Sequence, residues 1–125
     1  MYLADTHALV WAITAPEGLP ARVREIFAAA EIKASVISYW ELALKKGRQN
    51  APVLHPAAWW DRNITRGAVE VLPVRVAHVD RFDALPEWHR DPFDRMLVAQ
   101  ALAENCTLVS RDAILARYGV AVVWE

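Results

Sequence analysis

Short apolar runs and stretches of helical spacing alternate along this chain from one end to the other. Residues 1–4 form an apolar run that reads as a short buried strand, and 6–14 (THALVWAIT) reads as a helix closed by Pro16 and Gly18. Pro20 opens a second helix reaching Ala30, with Val23, Ile26 and Phe27 at helical spacing. The β-branched stretch 32–37 predicts a strand. Ser38 then starts a helix running to Leu44 or Lys46, with Gly47 as its stop. After the irregular segment 48–55, Pro56 begins a helix that ends at Gly67. A strand over 69–74 contains Pro73, which places it at a sheet edge or marks its end. There follow a helix over 76–85, a loop over 86–91 and the most regular helix of the chain, 92–104, opened by Pro92. A strand at 107–110, a short helix at 112–118 ending at Gly119 and a strand at 121–124 complete the series. No internal repeat, linker or low-complexity segment breaks it.

This alternation over 125 residues predicts one domain, 1–125, of the α/β class: three layers, α/β/α, around a mainly parallel sheet. In such sheets the ligand site lies beyond the carboxyl ends of the strands. Four carboxylates fall at those junctions. Asp5 closes the first strand, Glu41 stands in the first turn of the helix after the second, Asp94 in the first turn of 92–104, and Asp112 just past the strand ending at Ser110.

Each of these acids has a structural role that competes with a chemical one. Ser38-x-x-Glu41 is a capping box in sequence, Asp91-x-x-Asp94 resembles one, and Asp112 is a candidate cap for its own helix. Acids in a first turn also gain up to about 1 kcal/mol from the helix dipole. Asp5 is harder to explain this way, because a carboxylate directly after a buried strand is partly desolvated. Taken together, several carboxylates in one pocket repel one another unless a cation compensates, and no Lys or Arg adjoins Asp5 in sequence. An all-oxygen set without cysteine or a paired-histidine motif favours Mg²⁺, or Mn²⁺, over zinc. Such an ion can activate water and orient a phosphodiester.

Composition narrows the class. Apolar residues make up 55% and charged residues 23%, which is ample for a packed core and argues against disorder. No apolar run approaches the roughly 18 residues that cross a bilayer, so no membrane association is expected. The opening residues do not read as a basic segment followed by a cleavable apolar one. With Cys106 alone no internal disulfide can form, and the expected setting is the cytoplasm. Net charge is −1, so nucleic-acid contact has to come from a local basic patch or a bound ion. Lys45, Lys46 and Arg48 after Glu41, together with Arg90, Arg95 and Arg111 near the other acids, are candidates for a phosphate-binding rail. An ordinary i,i+4 pair between Glu41 and Lys45 competes with that role.

Further candidates are weaker. Thr6 reads as a helix cap or as a hydrogen-bond partner of a metal ligand, and Asp91 as a cap or a supporting acid. His7, two residues past Asp5, is a candidate substrate contact. His55, His78 and His89 have no ligand-like spacing and read as structural or surface residues. Tryptophans number 6, and the adjacent Trp59 and Trp60 cannot face one direction on a helix, which suggests an apolar surface for a partner. Trp40 is a candidate for base stacking with core packing as its default, and Trp11 suits a core or dimer face.

The runs LADTHALVWA, ISYWELALKKGR and HRDPFDRMLVAQALAENCTLVSRD resemble the PIN domain of VapC-type toxins from bacterial toxin–antitoxin pairs, over essentially the whole chain. In that resemblance Asp5, Glu41 and Asp94 match the family's acids. Asp112 stands at its more variable fourth position, with Ser110 as a hydroxyl contributor. The resemblance implies a parallel sheet, Mg²⁺-dependent cleavage of RNA, inhibition by a cognate antitoxin and a homodimer. Two other assignments fit less well. A haloacid-dehalogenase-type phosphohydrolase needs a second Asp where His7 stands, and a receiver domain needs adjacent acids near the first strand and a later lysine. A catalytically silent PIN-like scaffold that binds RNA or protein is the remaining alternative.

Overall fold

The computed structural model describes residues 1–29 and 31–125, so the expected end of the second helix at Ala30 lies outside the described residues. Five short strands build one sheet: β1 (Tyr2–Ala4), β2 (Ile32–Ser35), β3 (Glu70–Leu72), β4 (Thr107–Val109) and β5 (Val122–Val123). Their order is β3-β2-β1-β4-β5, and every pairing is parallel. The helices are α1 (Thr6–Thr14), α2 (Ala21–Ala28), α3 (Val36–Leu44), α4 (Pro56–Trp60), α5 (Val76–Ala84) and α6 (Pro92–Glu104). This is the α/β architecture with a parallel sheet that the alternation of signals predicts.

The period-two alternation of strand side chains sorts the core into two layers. Leu3 and Leu108 point into one cluster with Phe93, Leu97 and Val98 of α6. Their neighbours Ala4 and Val109 point into the other, with Ala8 and Leu9 of α1 and Val23 and Ile26 of α2. β1 and β4 are therefore covered on both faces, which is why they read as unbroken apolar runs rather than alternating ones. Strand order reverses at β1, since the chain first builds outward through β2 and β3 and then returns to β4 on the other side. A crevice at the carboxyl ends of β1 and β4 is the geometric consequence. Among the described residues, no helix is long and apolar enough to cross a membrane.

Several element boundaries differ from the sequence expectation. β2 stops at Ser35, whose hydroxyl caps α3 by accepting the Ile37 N–H at 3.0 Å. Ser38 thus lies inside the helix, Glu41 lies past its first turn, and the Ser38–Glu41 capping box does not form. The expected helix from Pro56 to Gly67 is α4 followed by a π-helical turn, Asp61–Thr65. The expected strand over 69–74 shortens to Glu70–Leu72 at the sheet edge, before Pro73. Residues Ala113–Tyr118 form a 3₁₀ helix capped by Asp112.

Candidate active site

Pairing of β1 with β4 places Ala4 opposite Val109, so Asp5 and Ser110 leave the sheet side by side. Asp5 is buried, and its Oδ1 accepts the Ala8 N–H at 2.8 Å, making it the N-cap of α1. Thr6 is therefore not the cap; its hydroxyl donates to Ser38 Oγ at 2.9 Å and ties α1 to α3. Burial pushes the Asp5 carboxyl above its usual range, opposed by the Ser110 hydroxyl and the Ala8 N–H and reinforced by the charge of Glu41.

Glu41 reaches the same place from α3. It is buried, and its Oε2 accepts Lys45 Nζ at 2.6 Å in an i,i+4 pair. Its other oxygen, Oε1, is buried with no hydrogen-bond partner among the described residues. Asp94 arrives from the first turn of α6, whose start is set by Asp91: that side chain accepts the N–H groups of Phe93 at 2.8 Å and Asp94 at 3.4 Å. Burial pushes Asp94 up to about 7, with the charges of Asp91, Asp5 and Glu41 adding to the shift and His89 opposing it.

Asp112 lies at the border of this group. Its Oδ1 accepts the Ile114 N–H at 3.1 Å and its Oδ2 lies 2.9 Å from His89 Nε2, so both oxygens have protein partners. All four acids line one cavity of about 320 Å³, together with Thr6, His7, Lys45, Asp91, Arg111 and the indoles of Trp11 and Trp124. The two indoles tilt against each other at a centroid distance of 5.9 Å. Ser110 Oγ accepts the Asp112 N–H at 3.1 Å, steering the chain from β4 into the cavity wall.

The basic residues divide. Lys45 and Arg111 line the cavity, and Lys46, Arg48 and Arg90 are exposed outside its lining. Arg95 is engaged elsewhere: its guanidinium stacks over Phe82 at 4.5 Å, and its Nη2 donates to the Leu85 carbonyl at 3.3 Å. Of the basic residues singled out in the sequence, Lys45, which forms the i,i+4 pair with Glu41, and Arg111 are therefore the two beside the acids.

His89 is the residue the spacing argument missed. Its Nε2 lies 2.9 Å from Asp112 Oδ2 and 3.6 Å from Asp94 Oδ2, so it belongs to the acid cluster and not to the surface. The one sequence signal is its place in the loop over 86–91, two residues before the α6 cap Asp91. His78 is structural, as expected: it is buried, bonded to Glu104 at 2.9 Å and packed against Gln100. His55 is exposed at the start of α4.

A PIN domain model matches residues 2–121. The chain belongs to the PIN domain family. Among solved structures, DNA-bound VapBC from Salmonella typhimurium aligns with a TM-score of 0.75 at 19% identity, over 98% of this chain and 96% of the other. VapBC2 from Rickettsia felis, bound to a promoter DNA fragment, aligns with a TM-score of 0.70 at 18% identity, over 99% and 98%. A toxin–antitoxin complex from Klebsiella pneumoniae gives 0.70 at 17%, over 98% and 96%. At such identities the likeness is one of fold. No curated protein matches the chain in sequence.

Proposed function

We propose that this PIN domain, acting as one unit over 1–125, is a Mg²⁺-dependent endoribonuclease and the VapC-type toxin of a toxin–antitoxin pair. Glu41 Oε1 carries the reading. A buried carboxylate oxygen without a donor is costly, and Glu41 lines a cavity shared with two further carboxylates whose protonation is pushed upward. A divalent cation removes that cost, and the all-oxygen donors suit Mg²⁺, with Mn²⁺ as a substitute. Asp5, Glu41 and Asp94 would hold the ion, with Asp112 beside them.

When bound there, the ion would supply Lewis-acid polarisation of a phosphodiester and a more acidic water. The protein's own part is positional. Lys45 and Arg111 offer cationic contacts to phosphate at the cavity, and exposed His7 stands at its rim. Lys46 and Arg48, exposed past α3, lie outside the cavity lining.

The solved relatives that are titled as complexes of toxin with antitoxin support a cognate antitoxin as partner. A homodimer is supported by an exposed apolar row on α3, Val36, Trp40 and Leu44, at a helical spacing of four. The absence of a membrane-crossing helix among the described residues fits a cytoplasmic setting. The dehalogenase-type alternative is disfavoured because position 7 presents an exposed histidine where that chemistry requires an acid.

Purified protein, free of antitoxin, is incubated with a total RNA pool and Mg²⁺, Mn²⁺ or EDTA, beside Asp5→Asn and Asp94→Asn variants. Metal-dependent cutting that both variants lose is the expected result. Folded protein that cuts no RNA under any of these conditions would establish the silent scaffold instead.

A further inference from the structure

His89 is held at three points, two of them on its ring. Its backbone N–H donates to Tyr118 Oη at 2.8 Å, its Nδ1 accepts the Asp91 N–H at 3.1 Å, and its Nε2 lies 2.9 Å from Asp112 Oδ2. The middle contact decides the tautomer. A backbone N–H can approach Nδ1 only where that nitrogen carries a lone pair, so in the neutral ring the proton sits on Nε2. That proton points at Asp112 Oδ2, with Asp94 Oδ2 at 3.6 Å. A nitrogen that donates a proton has no lone pair left for a cation.

The same three groups, His89, Asp94 and Asp112, lie close enough together to be read as a metal-binding triad. The hydrogen bonds argue for a different role. Asp112 receives one bond from the 3₁₀ helix through Ile114 and a second from His89, while Glu41 Oε1 has no hydrogen-bond partner among the described residues and Asp94 lines the cavity. We propose that His89 is a positioning residue that holds Asp112 and, through it, the border of the acid cavity by donating its Nε2 proton, and that it does not ligate the ion.

This rests on the metal-dependent nuclease reading for its activity and metal-affinity tests, and on the hydrogen bonds alone for the tautomer. Without His89, the loop over 86–91 loses its side-chain tie to the strand-end segment at Asp112, and the Asp112 carboxylate keeps its helix cap but becomes free to rotate. Hydrogen-bond partners that lie outside the ion's own ligands are typically worth 10–100-fold in metal affinity or activity.

One measurement addresses the ring directly, and two address what it does. In the ¹⁵N imidazole spectrum of the full chain, His89 is expected to be the Nε2–H tautomer, and to remain so when Mg²⁺ is added. An Nδ1–H tautomer, or loss of the Nε2 proton on adding Mg²⁺, would overturn the proposal in favour of ligation. By calorimetry with Mn²⁺ and by RNA turnover, His89→Phe should lose roughly 10–100-fold in affinity or kcat with little change in KM. His89→Gln, whose amide nitrogen stands near the place of Nε2, should recover most of that loss. In an Asp112→Ala background His89→Phe should add little, because the two act as one unit. A His89→Phe protein indistinguishable from the parent, or full additivity with Asp112→Ala, would overturn it. Protein that binds Mn²⁺ and shows this tautomer yet cuts no RNA would defeat the nuclease reading and leave the His89 assignment standing.

Discussion

Asparagine at position 5 would keep the helix cap and take away only the charge, because Asn and Asp cap helices about equally well. Asp5 serves both purposes, accepting the Ala8 N–H while its carboxyl sits in a cavity that opposes ionisation. Asp5→Asn is therefore expected to leave the metal-free melting temperature unchanged or raised while abolishing the stabilisation given by Mg²⁺. Asp5→Ala, which also removes the cap, should lose about 1 kcal/mol in urea unfolding. A metal-free Asp5→Asn protein markedly less stable than the parent would mean that the carboxylate is already satisfied. Asp94 sets the pH dependence. In the folded metal-free protein its carboxyl holds a proton up to about 7, whereas its ordinary value is 3.8. Between those two values the folded state binds more protons, so stability falls as pH rises through the window and is lowest above 7. A shift of this size corresponds to about 4 kcal/mol when fully expressed. Mg²⁺ competes with that proton, so the rise in melting temperature on adding Mg²⁺ should be larger at pH of about 8 than at about 5.5. Equal rises at both would contradict the raised Asp94 value.

Elements were read from the chain more faithfully than their ends. α1 and α6 begin and stop where helical spacing, Pro92 and the following turn residues place them, and Asp91 caps α6 as its sequence position implies. At α3 two serines competed for the cap. Ser38 carries the better local signature, but β2 ends at Ser35, which takes the position, and Ser38 lies inside the helix with its hydroxyl used by Thr6 from another helix. That contact spans 32 positions, and no local pattern carries it. The same limit hid His89, whose partner Asp112 is 23 positions away and joins it through the fold. Arg95 turns away from the acids for a related reason: nearness to Asp94 in sequence does not set its direction, which Phe82 and the Leu85 carbonyl determine. The α6 cap gives an element-scale prediction. Asp91→Ala removes the acceptor for the Phe93 and Asp94 N–H groups and should cost about 1 kcal/mol of stability, whereas Asp91→Asn should cost little. Because Asp94 lies in the turn so fixed, Asp91→Ala should also weaken Mn²⁺ binding measured by calorimetry. Unchanged affinity in a measurably destabilised protein would show that Asp94 is held by helix packing alone.

At the scale of the whole molecule, the parallel sheet explains why acids distant in sequence share one cavity: β1 and β4 are neighbours and end level with each other. That much follows from strand and helix alternation, since a reversal of strand order opens a crevice at the strand ends. Charge is the property the topology leaves undecided. With a net charge of −1, the molecule as a whole does not attract RNA, and the cations it brings to the cavity are Lys45 and Arg111. Single-stranded binding loses about 0.7 of a logarithmic unit per contacted phosphate for each tenfold rise in salt. Two such contacts give a slope near −1.4, so raising NaCl from about 50 to about 200 mM should weaken RNA binding roughly sevenfold. A rail that also engaged Lys46, Arg48, Arg90 and Arg95 would give a slope near −4 and a loss of roughly several hundredfold over the same range. Fluorescence anisotropy with a labelled single-stranded RNA, on the inactive Asp94→Asn protein at fixed Mg²⁺, separates the two. Because Arg95 is bound to α5 and the other three lie outside the cavity lining, the shallow slope is expected. The steep slope would mean that RNA runs well beyond the acids, across a surface that the cavity does not mark.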